Sequence, residues 1–235
     1  LAGKHVVVTA GPTREPIDPV RYISNNSSGK QGFALVRAAR DAGARVTLIT
    51  GPVALTTPAG TTRIDITTAQ QMHDAIAALP DAGDVFIGVA AVADYRPVLT
   101  HKQKIKKRAG DGLSLELVEN PDIIATVAKR SRRPFVVGFA AETHDAVVNA
   151  RAKLARKGLD MIVLNDVSDQ RIGFDSDNNA VTVITTDSEE RIDIGSKAEI
   201  ARALIARIAT ALERPATHQR TRHTKRSAES DTAAG

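Results

Sequence analysis

Thr9-Ala10-Gly11-Pro12-Thr13-Arg14-Glu15-Pro16-Ile17-Asp18-Pro19-Val20-Arg21-Tyr22-Ile23-Ser24-Asn25-Asn26-Ser27-Ser28-Gly29-Lys30-Gln31-Gly32 follows a short apolar strand pattern, His5–Val8, and runs into an amphipathic helix pattern that ends at Ala42. A long polar loop between the first strand and first helix of an α/β protein is where such folds hold nucleotides. Gly11-Pro12 and Pro16 to Pro19 stiffen this one, which lowers the entropy lost when it orders. Ser27, Ser28, Gly29 and Lys30 stand at the start of the helix, where backbone N–H groups and the helix dipole favour an anion such as a triphosphate. The spacing is neither a Walker A loop nor a G-x-G-x-x-G fingerprint. Loops of this length in compact domains are usually functional.

Working outward, strand and helix patterns alternate. Strands are expected at His5–Ala10, Arg45–Thr50, Thr62–Ile66, Asp84–Ala90, Pro134–Ala140 and Leu159–Asn165. Helices are expected at Gly29–Ala42 with Ser27 and Ser28 as caps, and at Thr68–Leu79 with Thr68 as N-cap. Further helices fit Pro121–Arg130 with Asn120 as cap and Pro121 in the first turn, Asp145–Lys157 closed by Gly158, and Ser196–Leu212 capped by Ser196. Val181–Thr186 and Glu190–Ile194 read as a hairpin around Asp187-Ser188. The alternation predicts an α/β fold, a mostly parallel sheet with helices on both faces and an antiparallel addition near the end. Val98–Val118 breaks the rhythm. Its alternating Leu113-Ser114-Leu115-Glu116-Leu117 reads as a half-buried strand pair, a β-arm whose apolar side would pack on a second subunit.

The 235 residues suit one large α/β domain or two small ones, and a chain of this size buries about 70% of its unfolded surface without staples. The absence of cysteine leaves no disulfide, thiolate metal site or thiol nucleophile, and fits a cytoplasmic protein. If a thiol enters the chemistry, the substrate brings it. No apolar run approaches the roughly 20 residues of a membrane span. The start at Leu1, without Met and almost on the first strand, reads as a piece of a longer polypeptide or as a processed chain. Of the net charge of +5, the segment 214–235 holds five Lys/Arg against two Asp/Glu, so +3 lies in a polar tail that cannot pack a core. With no Trp and two Tyr, a base-stacking surface for nucleic acid is not expected.

Several further clusters fall where an α/β sheet places ligands. Ala90-Ala91-Val92-Ala93-Asp94-Tyr95 leaves the carboxyl end of a buried strand; small residues admit a ligand to the backbone, and Asp94 could hold a metal, hold a ribose hydroxyl, or merely cap a turn. Lys102-Gln103-Lys104-Ile105-Lys106-Lys107-Arg108 puts five cations in seven residues, with alternation placing Lys102, Lys104 and Lys106 on one face. Such a run is either a solvated face or a means of neutralising a triphosphate. Glu119-Asn120-Pro121-Asp122-Ile123 offers Asp122 to a divalent cation or simply starts a helix. Gly138-Phe139-Ala140-Ala141-Glu142-Thr143 offers backbone groups to a base edge and Phe139 to its ring, while Glu142 equally suits a helix start. Asn165-Asp166-Val167-Ser168 and Gly173–Asn178 read as structured turns, since their spacing is wrong for a calcium loop. His5, His73 and His144 show no metal-ligand spacing.

Taken in order, Gly11-Pro12-Thr13-Arg14-Glu15-Pro16, Arg21-Tyr22-Ile23-Ser24-Asn25, Ser27-Ser28-Gly29-Lys30, Ala90–Tyr95, Lys104-Ile105-Lys106, Asn120-Pro121-Asp122 and Gly138–Thr143 resemble the bacterial phosphopantothenate–cysteine ligase family over about residues 3–213. The resemblance implies a Rossmann-like homodimer of the coenzyme A pathway in the cytoplasm, with residues 1–213 as the nucleotide-binding ligase domain, 98–118 as a dimerisation arm and 214–235 as a basic tail. It implies that the carboxylate of 4′-phosphopantothenate attacks the α-phosphate of CTP with Mg²⁺ present, giving an acyl-cytidylate and pyrophosphate. L-Cysteine then displaces CMP to form the amide. Members are usually the C-terminal half of a bifunctional protein whose N-terminal half is an FMN-dependent decarboxylase, so FMN belongs to a half this chain lacks. Carried over by motif, Asn25 steadies the acyl-cytidylate, Arg21 helps hold the acyl group or its phosphate, and Lys104 is the mobile lysine of the activation step. Gly11, Ser27, Ser28, Gly29, Lys30, Ala90, Lys102, Ile123, Phe139 and Ala141 complete the expected nucleotide and substrate contacts, with Asp94 and Asp122 near the metal. Neither a membrane nor a nucleic acid is expected as partner. The residues alone leave two rivals, a nucleotide-binding module without chemistry and an NAD(P)-dependent oxidoreductase; the missing G-x-G-x-x-G and the cationic arm speak against the latter.

Overall fold

The computed structural model describes residues 1–107, 110, 112–142, 145–166 and 176–213. Arg108, Thr143, His144, the segment 167–175 and the basic tail 214–235, all read above, lie outside the described residues, as does the side chain of Glu142.

Six parallel strands make the centre of the fold: β1 (His5–Ala10), β4 (Arg45–Thr50), β5 (Thr61–Asp65), β6 (Val85–Gly88), β9 (Phe135–Glu142) and β10 (Met161–Asp166). Two antiparallel strands, β11 (Asn178–Ile184) and β12 (Glu189–Ser196), extend one edge. The order is β12-β11-β10-β9-β6-β1-β4-β5. Its parallel part has the arrangement of doubly wound dinucleotide-binding sheets. The fold is thus the Rossmann-like α/β architecture expected.

Strand periodicity decides which helix meets which face. Val6, Val8, Leu48, Ile87 and Val163 point to a core closed by α1 (Lys30–Asp41) and α5 (Lys197–Glu213). Val7, Ile49, Phe86, Val136 and Ile162 point to the opposite core, closed by α2 (Ala69–Ala77), α3 (Ile123–Ala128) and α4 (Ala146–Lys157). All six residues of β1 are buried, because a parallel strand covered on both faces has no solvent side. Phe33, Leu35 and Val36 of α1 are fully buried, each contributing about 1.5–3 kcal/mol by its transfer from water. Thr68 caps α2 in a reciprocal box with Gln71, and Ser196 accepts from the Glu199 amide at 3.2 Å at the start of α5.

The first loop is more ordered than its composition suggests. It folds into an antiparallel pair, β2 (Arg14–Pro16) with β3 (Tyr22–Ser24). The arm is less regular than its alternation predicted. Only its base is paired, β7 (Tyr95–Pro97) against β8 (Leu117–Glu119), and no strand occurs in 98–116 among the described residues. The alternation therefore places no face on Lys102, Lys104 and Lys106. The strand expected over Leu113–Leu117 begins only at Leu117; Leu113 is 54% exposed and Leu115 half-buried, and across the arm Val98 is 56% and Leu99 65% exposed. Alternation needs a sheet to act on, and within one chain this segment has none.

At the amino edge of the sheet, Asp84 ties three strands. Its carboxylate accepts from the His5 amide at 2.8 Å and Lys4 Nζ at 3.2 Å, and its carbonyl accepts from the Phe135 amide at 2.9 Å. The His5 amide, and then Lys4, hold its carboxyl below the ordinary range. A depressed folded value stabilises the fold fully above the unfolded value of about 3.9, and that stabilisation falls away as pH drops from there through the folded value. Asp84→Asn is expected to flatten the acid limb of the melting temperature below about pH 4; a limb as steep as in the unmodified protein would remove Asp84 from that role.

Candidate functional site

After β1 the chain crosses through α1 to β4, and after β5 it returns to lay β6 on the other side of β1. The connections leaving β1 and β6 therefore diverge, which opens a crevice at their carboxyl ends. Two adjoining hollows occupy it, of about 650 and 670 Å³, and both are lined by Ala90, Val92, Asp94, Phe139 and Lys153. These shared residues form a ridge. One hollow faces the start of α1, the other the start of α3 and the carboxyl half of α4.

The loop after β1 is fitted to this edge by close approach. Gly11 turns with φ of 70°, and Gly51, at the exit of β4, has no room for a side chain because a Cβ there would lie 1.7 Å from the Pro12 carbonyl oxygen. The loop then bridges to the segment after β6: the Ala91 amide donates to Gly11 at 2.9 Å and the Thr13 amide to Ala91 at 3.2 Å. Thr13 is buried and its hydroxyl accepts from the Ala93 amide at 3.0 Å. Buried Glu15 accepts from the Ala69 amide at 2.9 Å, a carboxylate at the start of α2 where dipole and amide both favour it. Asn25 Nδ2 donates to the Val92 carbonyl at 2.9 Å, which sets its side chain over the α1 hollow.

In that hollow, Gly29, not Ser27 or Ser28, caps α1, with φ of 75° and no side-chain cap bond. A left-handed cap places Gly29 where a serine would be strained; Ser27 instead accepts from the Gly29 amide at 3.3 Å. Three cations line the hollow, Lys30, Lys153 and Lys197, with Asp94 as the one carboxylate among the described lining residues. Lys30 pairs with Asp177 at 2.7 Å and holds that carboxyl below its ordinary range. Asn179 donates to Gln31 at 3.3 Å and to Asn165 at 3.2 Å, so α1, β10 and β11 share one amide network at the hollow's wall.

The second hollow mixes charges: Lys153, Arg156 and Lys157 face Asp94, Glu119 and Asp122. Asp122, not Asn120, caps α3, accepting from the Ala125 amide at 3.1 Å, and Pro121 lies outside the helix. Asn120 is diverted to the Ala93 carbonyl at 2.8 Å. Lys157 pairs with the other Asp122 oxygen at 2.9 Å, and Lys153 donates to the Phe139 carbonyl at 3.2 Å. Asp122 is thus already engaged at both oxygens. Among the described residues no group of three or more His, Cys, Asp or Glu is placed to hold a metal. Asp94 is exposed on the ridge and offers a single carboxylate, which fits a Mg²⁺ that takes one or two carboxylates plus substrate phosphates.

Of the residues singled out in the sequence, Asn25, Ser27, Ser28, Gly29, Lys30 and Ala141 line the α1 hollow, Asp122 and Ile123 the other, and Ala90, Asp94 and Phe139 both. Gly11 lies below them in the loop. Arg21, Lys102 and Lys104 line neither hollow; Arg21 is bonded to Asp18, and Lys102 and Lys104 are exposed. The sequence reading missed Lys153, Arg156, Lys157, Asn179 and Lys197. The i,i+4 spacing of Lys153 and Lys157 on a helix leaving β9 was the available signal.

Comparisons with known proteins bear on the family and the fold. The family described as DNA/pantothenate metabolism flavoprotein C-terminal domain matches residues 1–212. The chain is 52% identical over 207 residues to the coenzyme A biosynthesis bifunctional protein CoaBC of Vibrio cholerae, covering 87% of this chain and 52% of that one. It is 49% identical over 209 residues to the Escherichia coli protein of the same name, covering 88% and 52%. The chain spans about half the length of these curated relatives. A crystal structure of the C-terminal domain of CoaBC superimposes with a TM-score of 0.78 at 37% identity, covering 91% of this chain and 97% of that one.

Gly29→Ala forces an L-residue into the left-handed region and brings a Cβ to 2.9 Å from Val53 Cγ1. The change is expected to lower unfolding free energy by about 1–2 kcal/mol, read from the urea midpoint; an unchanged midpoint would mean that this cap tolerates another conformation.

Proposed function

The chain belongs to the DNA/pantothenate metabolism flavoprotein C-terminal domain family, and on that premise we propose that it is a cytoplasmic ligase joining 4′-phosphopantothenate to L-cysteine at the expense of CTP. The observation that carries the reading is the pair of hollows meeting at one ridge, in a chain about half identical to coenzyme A biosynthesis proteins. Two anionic substrates need two charged pockets and one place where their reacting atoms meet.

The charges allot the pockets. The α1 hollow, with three cations and the first turn of a long helix, takes the phosphate of phosphopantothenate. The second hollow, with cations and carboxylates together, takes the nucleoside triphosphate: Lys153, Arg156 and Lys157 face phosphates, and Asp94 turns to Mg²⁺. Backbone groups of Phe139–Ala141 face the cytosine, whose N4 donor and O2/N3 acceptors suit carbonyl and amide partners. When bound, Mg²⁺ neutralises charge on the phosphates.

On the ridge the acid's carboxylate oxygen attacks the α-phosphorus, the bond to the bridging oxygen breaks, and pyrophosphate leaves. Lys104 supplies positive charge as the leaving group becomes more anionic. In the second step the cysteine amine attacks the acyl carbon, an N–H proton is lost, and CMP leaves with the electron pair of the acyl–oxygen bond. Asn25, oriented by Val92, donates to the carbonyl oxygen as it gains charge. Arg21 steadies the acyl part. No protein nucleophile is needed, in keeping with the absence of cysteine. The exposed apolar arm residues pack on the arm of a second copy, giving a homodimer, and in the longer relatives an FMN-dependent decarboxylase half precedes this one.

Lys104→Gln is expected to slow pyrophosphate release from CTP and phosphopantothenate, measured before cysteine is added, by about 100-fold. Asn25→Asp should slow amide formation from supplied acyl-cytidylate by a similar factor of about 100. Unmodified protein that released no pyrophosphate would instead be a binding module. Leu99→Glu combined with Leu113→Glu should halve the mass measured by light scattering; an unchanged mass would place the subunit contact elsewhere.

A further inference from the structure

Asp18 belongs to none of the roles above, yet its side chain is wholly buried at a surface loop. Its Oδ1 accepts from the amides of Val20 at 2.8 Å and Arg21 at 2.9 Å. Its Oδ2 accepts from Arg21 Nε at 3.0 Å, from Arg21 Nη2, and from the amide of Ile105 at 3.1 Å. Arg21 Nη2 also donates to the Ile105 carbonyl at 3.1 Å. Both polar groups of one arm residue are therefore gripped by one ion pair of the β1–α1 loop. Two more bonds run alongside, His101 amide to Ile17 carbonyl at 2.9 Å and Thr100 hydroxyl to Pro16 carbonyl at 3.1 Å.

The arm has little else to fix it there. Lys102, Gln103, Lys104, Lys106 and Lys107 are all exposed, Ile105 alone is half-buried, and no strand runs through them. Burying a carboxylate is costly unless it is paired and its lone pairs are satisfied; Val20 and Arg21 supply four of the bonds here, and the fifth comes from Ile105, whose neighbours are cations. We propose that Asp18 is a positioning residue: its carboxylate, shared between Arg21 and the Ile105 amide, holds the Lys102–Lys107 segment in the register from which Lys104 acts. The inference rests on the role given to Lys104 under Proposed function. The Arg21 guanidinium, and secondarily the loop and arm amides, hold the Asp18 carboxyl well below the usual range, so the clamp is ionised at neutral pH.

The test has one arm that needs no turnover. In the unmodified protein, amide hydrogen exchange read by NMR should show Ile105 protected about tenfold or more over Lys104 and Lys106; an Ile105 amide exchanging as fast as its neighbours would overturn the clamp without any variant. Asp18→Asn should abolish that protection and lower kcat for pyrophosphate release by about 10- to 100-fold. KM for CTP should stay within about threefold, and an unchanged urea midpoint would report an intact fold. A variant with loosened Ile105 and normal pyrophosphate release, or with slowed release and Ile105 still protected, would overturn the positioning role. If the unmodified protein released no pyrophosphate from CTP, the proposed function would fail, while the exchange arm would still decide whether the clamp exists.

Discussion

The carbonyl of Pro12 occupies the space where a side chain on Gly51 would go, and the architecture of the site follows from that contact. It forces the first loop to leave β1 flush against the exit of β4. From there the loop turns at Gly11 and reaches across to Ala91, beyond β6. A loop of this length would ordinarily forfeit much conformational entropy on closing and leave backbone groups unpaired. Here Thr13, Glu15, Asp18, Ser24 and Asn25 each take up a backbone group, on four different segments of the chain. The loop is consequently part of the scaffold, and the ridge between the hollows can be rigid although, Phe139 of β9 apart, it is built from segments outside the sheet.

Most of the sheet was legible because its signal is local. Six buried residues in a row at β1, the apolar stripe of α1, and the Thr68 and Ser196 caps are each properties of a short window, and each is found where the window puts it. The antiparallel end was legible for the same reason, as two short strands around a polar turn. Caps failed where a distant partner decided them. Asn120 would serve as a cap in isolation, but the Ala93 carbonyl claims its amide and Asp122 takes its place. Ser27 and Ser28 yielded to Gly29 because α1 starts from a left-handed residue packed under Val53.

The site was half legible. Motif order located Asn25, the Ser27–Lys30 helix start, Asp94, Asp122 and Phe139, all of which converge. Lys153, Lys157 and Lys197 were hidden, because a lysine on an amphipathic helix reads as a solvated face until the fold shows which hollow that part of the helix borders. Asn179 and Gln31 were hidden more deeply, since they are 148 residues apart and meet only when β11 is laid beside β10. The arm was legible only at its base, where β7 pairs with β8; beyond it the alternation has no neighbouring strand among the described residues to act on.

The ridge that divides the two hollows has a kinetic consequence. A ligand confined to one side leaves by breaking one set of contacts. A molecule that straddles Asp94 and Phe139, with an anchor in each hollow, must release both at once, because each anchor keeps the other at high effective concentration. Such a bridging species would be retained far longer than either of its halves. A reactive, water-sensitive compound formed across the ridge would thus be shielded from loss by divalent attachment alone, with no door to shut behind it.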